Sequence, residues 1–242
     1  MPGPTLIDWL RAQDDLTLAA LLVARPDLAT PAPADSTVLA ARAATRASVT
    51  RAAEGLDTFT LAVLDALVVV DADQAPVPVS RVAETVGPDA SEARVRDALD
   101  VLVRLALAWG TDELSVVPAA REAGGLFPAG LGRPSAGLAG VDIPGLLAEL
   151  AEPERRMLTT LAHGSPLGRT KDADVLVPLD QARTPVQRLL AMGLLLRRDA
   201  ETVELPRQVA FAIRGDSPLG TVRLDEPALS VRQHRVATVD AT

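Results

Sequence analysis

The sequence predicts a mainly α-helical chain with short β-hairpins, built as tandem winged-helix modules behind a small helical cap. A helix, a tight turn and a short extended run occur twice, over 97–121 (DALDVLVRLALAWGTDELSVVPAAR) and 185–209 (PVQRLLAMGLLLRRDAETVELPRQV). Aligned without a gap, VLVRLALAW lies over LLAMGLLLR and Pro118 falls on Pro206. A helix running into a β-hairpin is the back half of a winged helix. Hydrophobic residues make up 48% of the chain but aromatics only 2%, so its cores are built from Leu, Val and Ala. That composition suits thin helical packing better than a thick sheet sandwich. At 242 residues the chain holds one large or two small domains.

Residues 1–55 read as the helical cap. Thr5 and Asp8 have the spacing of a capping box, and Leu6, Trp9 and Leu10 share an apolar face. Asp14-Asp15 precede a second helix, LTLAALLVA, which Arg25-Pro26 stops because proline disfavours helix at the residue before it. After the spacer TPAPAD, 36–54 is helical in propensity with a break near Thr45. Arg42, Arg46 and Arg51 fall on one side of it, either as a solvated face or as a small basic stripe for phosphate.

The first module, 56–123, follows winged-helix order. Asp57 caps TFTLAVLDALVVV, where Leu61, Leu64 and Val68 repeat at helical spacing. Ser80 opens a short helix ended by Gly87, and Asp89 with Glu92 forms a capping box before a long third helix. GTDEL then makes the turn and SVV the returning strand. The Gly/Pro-rich run 124–143 marks a linker. The second module, 144–215, starts with a helix carrying Pro153 in its first turn, and Thr184-Pro185 opens its third helix. Its second helix is poorly marked, so this module reads as degenerate. Residues 216–242 read as an extended tail.

The net charge of −8 and pI near 4.8 argue against tight nucleic-acid binding by the chain as a whole, because phosphate neutralisation by basic residues supplies most of such affinity. No cysteine means no disulfide framework and no thiolate zinc site, as expected in a reducing compartment. No signal peptide is visible and no apolar run approaches the ~20 residues of a membrane span, so the chain is expected to be cytoplasmic.

No constellation of residues converges on a reaction. Gly164-SPL-Gly168-RT-Lys171-Asp172 resembles a phosphate loop, but its glycine spacing is one short, its lysine is late, and Asp172 replaces the magnesium-holding hydroxyl. His163 and His234 lack helical-spacing partners, and His163 at a helix end suits carbonyl capping. Asp14-Asp15 and Asp71/Asp73 lie at helix boundaries, where capping and solvation explain them, and Asp65 falls on a face open to exposure. No catalytic, cofactor-binding or metal-ligating residues are expected, and no cofactor.

A DNA reader would place the third helix of a module in the major groove. In the first module that face carries Glu92, Arg94, Asp97, Asp100 and Arg104, with Arg96 able to pair Asp100, and neutralises itself. The second offers Arg183, Arg188, Arg197, Arg198 and Arg207, opposed locally by Asp199 and Glu201. These five are the candidate nucleic-acid contacts.

The phrases LLVARPDLATPAPAD, AARAATRASVTRAAEGLD, FPAGLGRPS and especially LLAMGLLLRRDAETVELPRQVAFAIRG (189–215) occur in order along most of the chain. Together they resemble the N-terminal region of the helicase-associated-domain proteins of high-GC bacteria, which are similar to the XPB-type helicases. The resemblance implies a winged-helix-rich, non-catalytic docking or regulatory scaffold linked to DNA repair or transcription. Its implied partners are DNA, bound weakly, and a helicase or downstream domain of a longer chain. No motor motif is present, so any ATPase would lie outside these residues. The competing expectation is a free-standing winged-helix transcription regulator.

Overall fold

The computed structural model describes residues 4–123, 125–220 and 222. Most of the expected tail, from 223 onward, lies outside the described residues.

The cap consists of five short helices. In α1 (Leu6–Arg11) the Thr5 hydroxyl accepts from the Asp8 amide while the Asp8 carboxylate accepts from the Thr5 amide, completing the expected capping box. α2 (Asp15–Ala24) is capped by Asp14 and ends at Arg25, and Pro26 opens α3 (Pro26–Ala29). The 36–54 region forms two pieces, α4 (Ser36–Ala43) and α5 (Arg46–Ala53), broken at Ala44 and Thr45.

The first module runs α6 (Thr58–Val69), β1 (Val77–Pro78), α7 (Val79–Val86), α8 (Glu92–Arg104), β2 (Ala108–Gly110), β3 (Glu113–Val116) and α9 (Ala120–Ala123). Its antiparallel sheet has the order β1-β3-β2, with Val77 opposite Leu114 and Trp109 opposite Ser115. Gly110 turns the hairpin at φ 115°, where a Cβ would sit 2.0 Å from the Glu113 carbonyl oxygen. Val63 and Leu67 of α6, Val82 of α7, and Val95 and Leu102 of α8 are fully buried between the helices. Asp57 caps α6 as expected. Two expected caps shift. α7 starts at Val79 after Pro78, not at Ser80. Pro88 and Asp89 form a turn that brings Ser91 to the entrance of α8, so the Ser91 hydroxyl, not Asp89, accepts from the Arg94 amide.

The second module repeats the order with one element missing. After α10 (Ile143–Ala148) come α11 (Glu152–His163), β4 (Leu167–Arg169), a loop, α12 (Pro185–Ala191), β5 (Leu196–Arg197), β6 (Thr202–Glu204) and α13 (Arg207–Arg214). The sheet order β4-β6-β5 matches that of the first module. Where the first module has α7, this one has only the 3-10 turn Leu179–Gln181, in keeping with the weak helical pattern there. Pro153 sits in the first turn of α11, and Thr184 caps α12.

The Gly/Pro-rich linker is not a free connection. Leu131 and Leu138 are buried, and the 131–135 stretch is bonded along β6 and α13. The Arg133 amide donates to Glu204 (2.7 Å), the Arg207 amide donates to the Arg133 carbonyl (3.1 Å), and Ser135 and Gln208 exchange two bonds. At Gly132 a Cβ would lie 2.1 Å from the Leu205 carbonyl oxygen, so only glycine permits this approach. Among the described residues no helix is long and apolar enough to cross a membrane.

Candidate nucleic-acid interface

The five candidate arginines do not form one surface. Arg207, the first residue of α13, is buried, with its side chain 7% exposed. It donates to the carbonyl of Val69, the last residue of α6 (2.7 Å), and pairs with Asp71 (3.4 Å). As a contact for an external phosphate it is therefore corrected. Burial pulls its guanidinium below the usual value, opposed by the Asp71 carboxylate. Arg188 of α12 pairs at 2.6 Å with the buried Glu154 of α11. Arg198 stacks over the Phe127 ring (5.5 Å) and pairs with Glu204, whose side chain is fully buried. Removing Arg188 would strand the buried Glu154, and removing Arg198 would leave Glu204 to Arg133 alone, so both arginines are structural first. Arg197 pairs with Asp174 (2.6 Å), with both side chains about half exposed at 44% and 56%. Among the described residues the Arg183 side chain has no ion-pair partner. Of the five, Arg183 and Arg197 are thus open to an external anion.

The charges differ sharply between modules. Residues 56–123 carry five basic and twelve acidic side chains, a net of −7. Residues 144–215 carry ten and nine, a net of +1. Arg169 and Lys171, both exposed, add to the second module's outer surface, and Arg169 pairs with Glu201 across an exposed contact at 3.0 Å. Exposed pairs of this kind contribute little and exchange readily for another anion. On α8 the expected self-neutralisation is present, with one different pairing. Arg96 bonds Glu92 one turn before it (2.8 Å), not Asp100 one turn after it. Glu N-terminal to Arg at i,i+4 suits the helix dipole better. Arg94 lies over the Phe59 ring at 4.8 Å.

Several residues matter that sequence patterns did not single out. Asp71 and Asp73 are not merely solvated helix ends. Arg121 of α9 bonds both, at 2.7 Å to Asp71 and 2.7 Å from its Nε to Asp73. Burial alone would raise Asp73, and the bonds from Arg121 outweigh it to hold that carboxyl below its usual range. Asp71 thus serves two arginines, one from each module. Arg25 plays the corresponding part for the cap. It is buried, donates to the carbonyl of Leu105 at the end of α8 (3.0 Å), and bonds Asp27 (3.2 Å) and Ser48. Arg214 donates to the Ala162 carbonyl near the end of α11 (2.6 Å) and to Ala129 (3.0 Å). Three arginines therefore satisfy the free carbonyls at the ends of three helices, where positive charge is also favoured by the dipole. The available signal for Arg25 was its place between a helix and a proline. For Glu204 it was an acid next to Val203 in a strand.

Asp65 is also corrected. It faces the linker, accepts from the Ala129 amide (2.9 Å), and burial raises its pKa. His163 approaches the Thr159 carbonyl with Nδ1 (3.0 Å), the role expected at a helix end. The phosphate-loop lookalike is divided, with Leu167–Arg169 forming β4 and Asp172 accepting from the Thr184 hydroxyl (2.7 Å). Among the described residues no group of three or more His, Asp or Glu side chains could hold a metal ion. Comparison with known protein families, with curated proteins and with solved structures finds no match.

Proposed function

We propose that the chain is a non-catalytic tandem winged-helix scaffold of the helicase-associated type, acting in the cytoplasm by docking or regulation in DNA repair or transcription. The observation that carries this reading is the use of Arg207. A side chain from the second module satisfies the last carbonyl of α6 and shares Asp71 with Arg121 of the first. Such a device holds two modules at a set geometry, as a scaffold needs, and uses up a charge that a DNA reader would present outward.

Contact with nucleic acid, in this proposal, is weak and belongs to the second module through Arg183, Arg197, Arg169 and Lys171. Its net charge of +1 against −7 for the first favours that side. Few contacts mean a shallow salt dependence, because each neutralised phosphate adds about 0.9 to the slope of log affinity against log salt.

Titration of labelled duplex and single-stranded DNA at low and moderate salt tests the reading. Weak binding is expected, lost in Arg183→Glu with Arg197→Glu. Tight, sequence-selective binding at moderate salt would instead support a free-standing regulator. Affinity unchanged by both substitutions would sink the assignment to this surface.

A further inference from the structure

We propose that two copies of this chain associate through α2, packed antiparallel about a two-fold axis. α2 is ten residues long and carries no charge after Asp15. Of its residues only Leu21 is buried, whereas Leu16 is 82% and Val23 80% exposed. A helix apolar on all sides is ordinarily covered all round, and here Leu18, Leu21 and Leu22 pack inward while no described residue covers the face of Leu16 and Val23. Leu16 and Val23, seven residues apart, lie within about 20° of one another around the helix and form a ridge. Beside the ridge runs an apolar groove of about 480 Å³ between α1, α2 and α8, lined by Trp9, Ala20, Ala24, Val101, Arg104 and Leu105 among others.

A ridge next to a groove is self-complementary under a two-fold rotation, since each ridge can enter the other copy's groove. Leu16 and Val23 are placed symmetrically about Ala19 and Ala20. Antiparallel pairing sets Leu16 against Val23 of the second copy and leaves two small alanines at the axis, where the backbones come closest.

The charges select the same direction. Asp14 and Asp15 mark the N-terminal end of α2. Arg104, the one charged residue lining the groove, lies at the opposite end, because Arg25, which follows α2, bonds the Leu105 carbonyl. Antiparallel helices bring the acidic end of each copy to the Arg104 end of the other, twice per dimer, whereas parallel helices would stack acids on acids. The cap is also nearly neutral, with five basic and six acidic residues in 1–55, so two copies meeting there avoid the strongly acidic first module.

Sedimentation of the full chain from low to several hundred micromolar, at moderate salt, tests this. A monomer–dimer equilibrium is expected. Leu16→Asp should raise the dissociation constant at least about tenfold, since a carboxylate would be buried in an apolar contact. Thermal melting followed by circular dichroism should be unchanged by that exposed substitution. Arg104→Glu should weaken the dimer, and adding Asp15→Lys to it should restore association. A monomer at every concentration overturns the proposal, as does a dimer indifferent to Leu16→Asp. Charge reversals that add rather than compensate would overturn the antiparallel arrangement.

Discussion

In the first module 22 apolar residues are buried, largely between α6, α7 and α8; in the second, over a similar length and the same element order, only 12 are. The third helix shortens from 13 residues in α8 to seven in α12, and the helix corresponding to α7 is replaced by a loop. What takes the place of the lost apolar packing is charge. Glu154 and Glu204 are both buried in the second module, clamped by Arg188 in one case and by Arg133 and Arg198 in the other. The first module has one comparable carboxylate, Asp73, whose side chain is 2% exposed and is bonded by Arg121, set beside a much larger apolar core. A buried ion pair adds little net stability compared with well-packed apolar residues, but removing one partner is costly. The second module is thus the less stable of the two and the less tolerant of single changes to its charged residues.

The largest expected effect tests whether the modules depend on one another. Arg207→Ala leaves the Val69 carbonyl without its donor and opens a void, at a cost of about 3 kcal/mol. Both tryptophans, Trp9 and Trp109, lie in the cap and first module. In urea, circular dichroism should therefore begin to change before tryptophan fluorescence in this variant, whereas the two coincide in the parent. Coincident transitions in both proteins would mean that Arg207 does not couple the modules.

Next in size is Gly132→Ala, which forces a Cβ against the Leu205 carbonyl and should cost about 2 kcal/mol. The same change at the solvent-facing Gly137, where only a side-chain hydroxyl comes within ordinary contact distance, should be close to neutral. Equal effects at both positions would show that the linker does not pack as a strap.

Glu204→Gln should cost about 1–2 kcal/mol at neutral pH, because its arginine partners are partly exposed and can be rehydrated. Burial by itself raises Glu204, but the bonds and charge of Arg133, with help from Arg198, bring it below its ordinary 4.5. A depressed carboxylate stabilises the fold above its unfolded pKa, and this is lost as pH falls through the folded value. Denaturant titrations below about pH 4.5 should show a flatter pH dependence for the glutamine variant than for the parent.

The smallest effect has the opposite sign. Burial raises Asp65, so the folded state holds its proton more tightly than the unfolded chain does. Its favourable contribution is complete below the unfolded pKa and disappears as pH rises through the folded one. Asp65→Asn keeps an acceptor for the Ala129 amide and removes the charge. It should slightly raise the melting temperature at neutral pH and leave it unchanged in acid.

The sequence made the local features readable and left the distant ones hidden. Helical periodicity located α6 and α8, the Gly110 turn located a hairpin, and Thr184-Pro185 marked the start of α12, because each signal lies within one or two turns of its effect. The weak pattern before Thr184 likewise corresponds to a missing helix. Glycine and proline between 124 and 143 correctly exclude long helices, but they carry no information on whether the segment packs, which depends on β6 and α13 some 70 residues later. The arginines were visible as basic residues, yet their partners were not. Arg188 finds Glu154 across 34 residues, and Arg207 finds Asp71 across 136. Candidate contacts chosen by charge and position alone therefore mixed exposed residues such as Arg183 with buried ones such as Arg207.

The bond from Arg207 to the Val69 carbonyl joins residues 138 positions apart. During synthesis the first module can emerge and collapse around its own apolar residues well before position 207 leaves the ribosome. Until then the Val69 carbonyl is left to water and Asp71 is paired with Arg121 alone, while the amides of Val70, Asp71 and Ala72 already close the other carbonyls of that turn. The arrival of α13 therefore supplies the last bond of a helix made much earlier, and a ribosome stalled between the two modules should present α6 folded but with its Val69 carbonyl open to solvent.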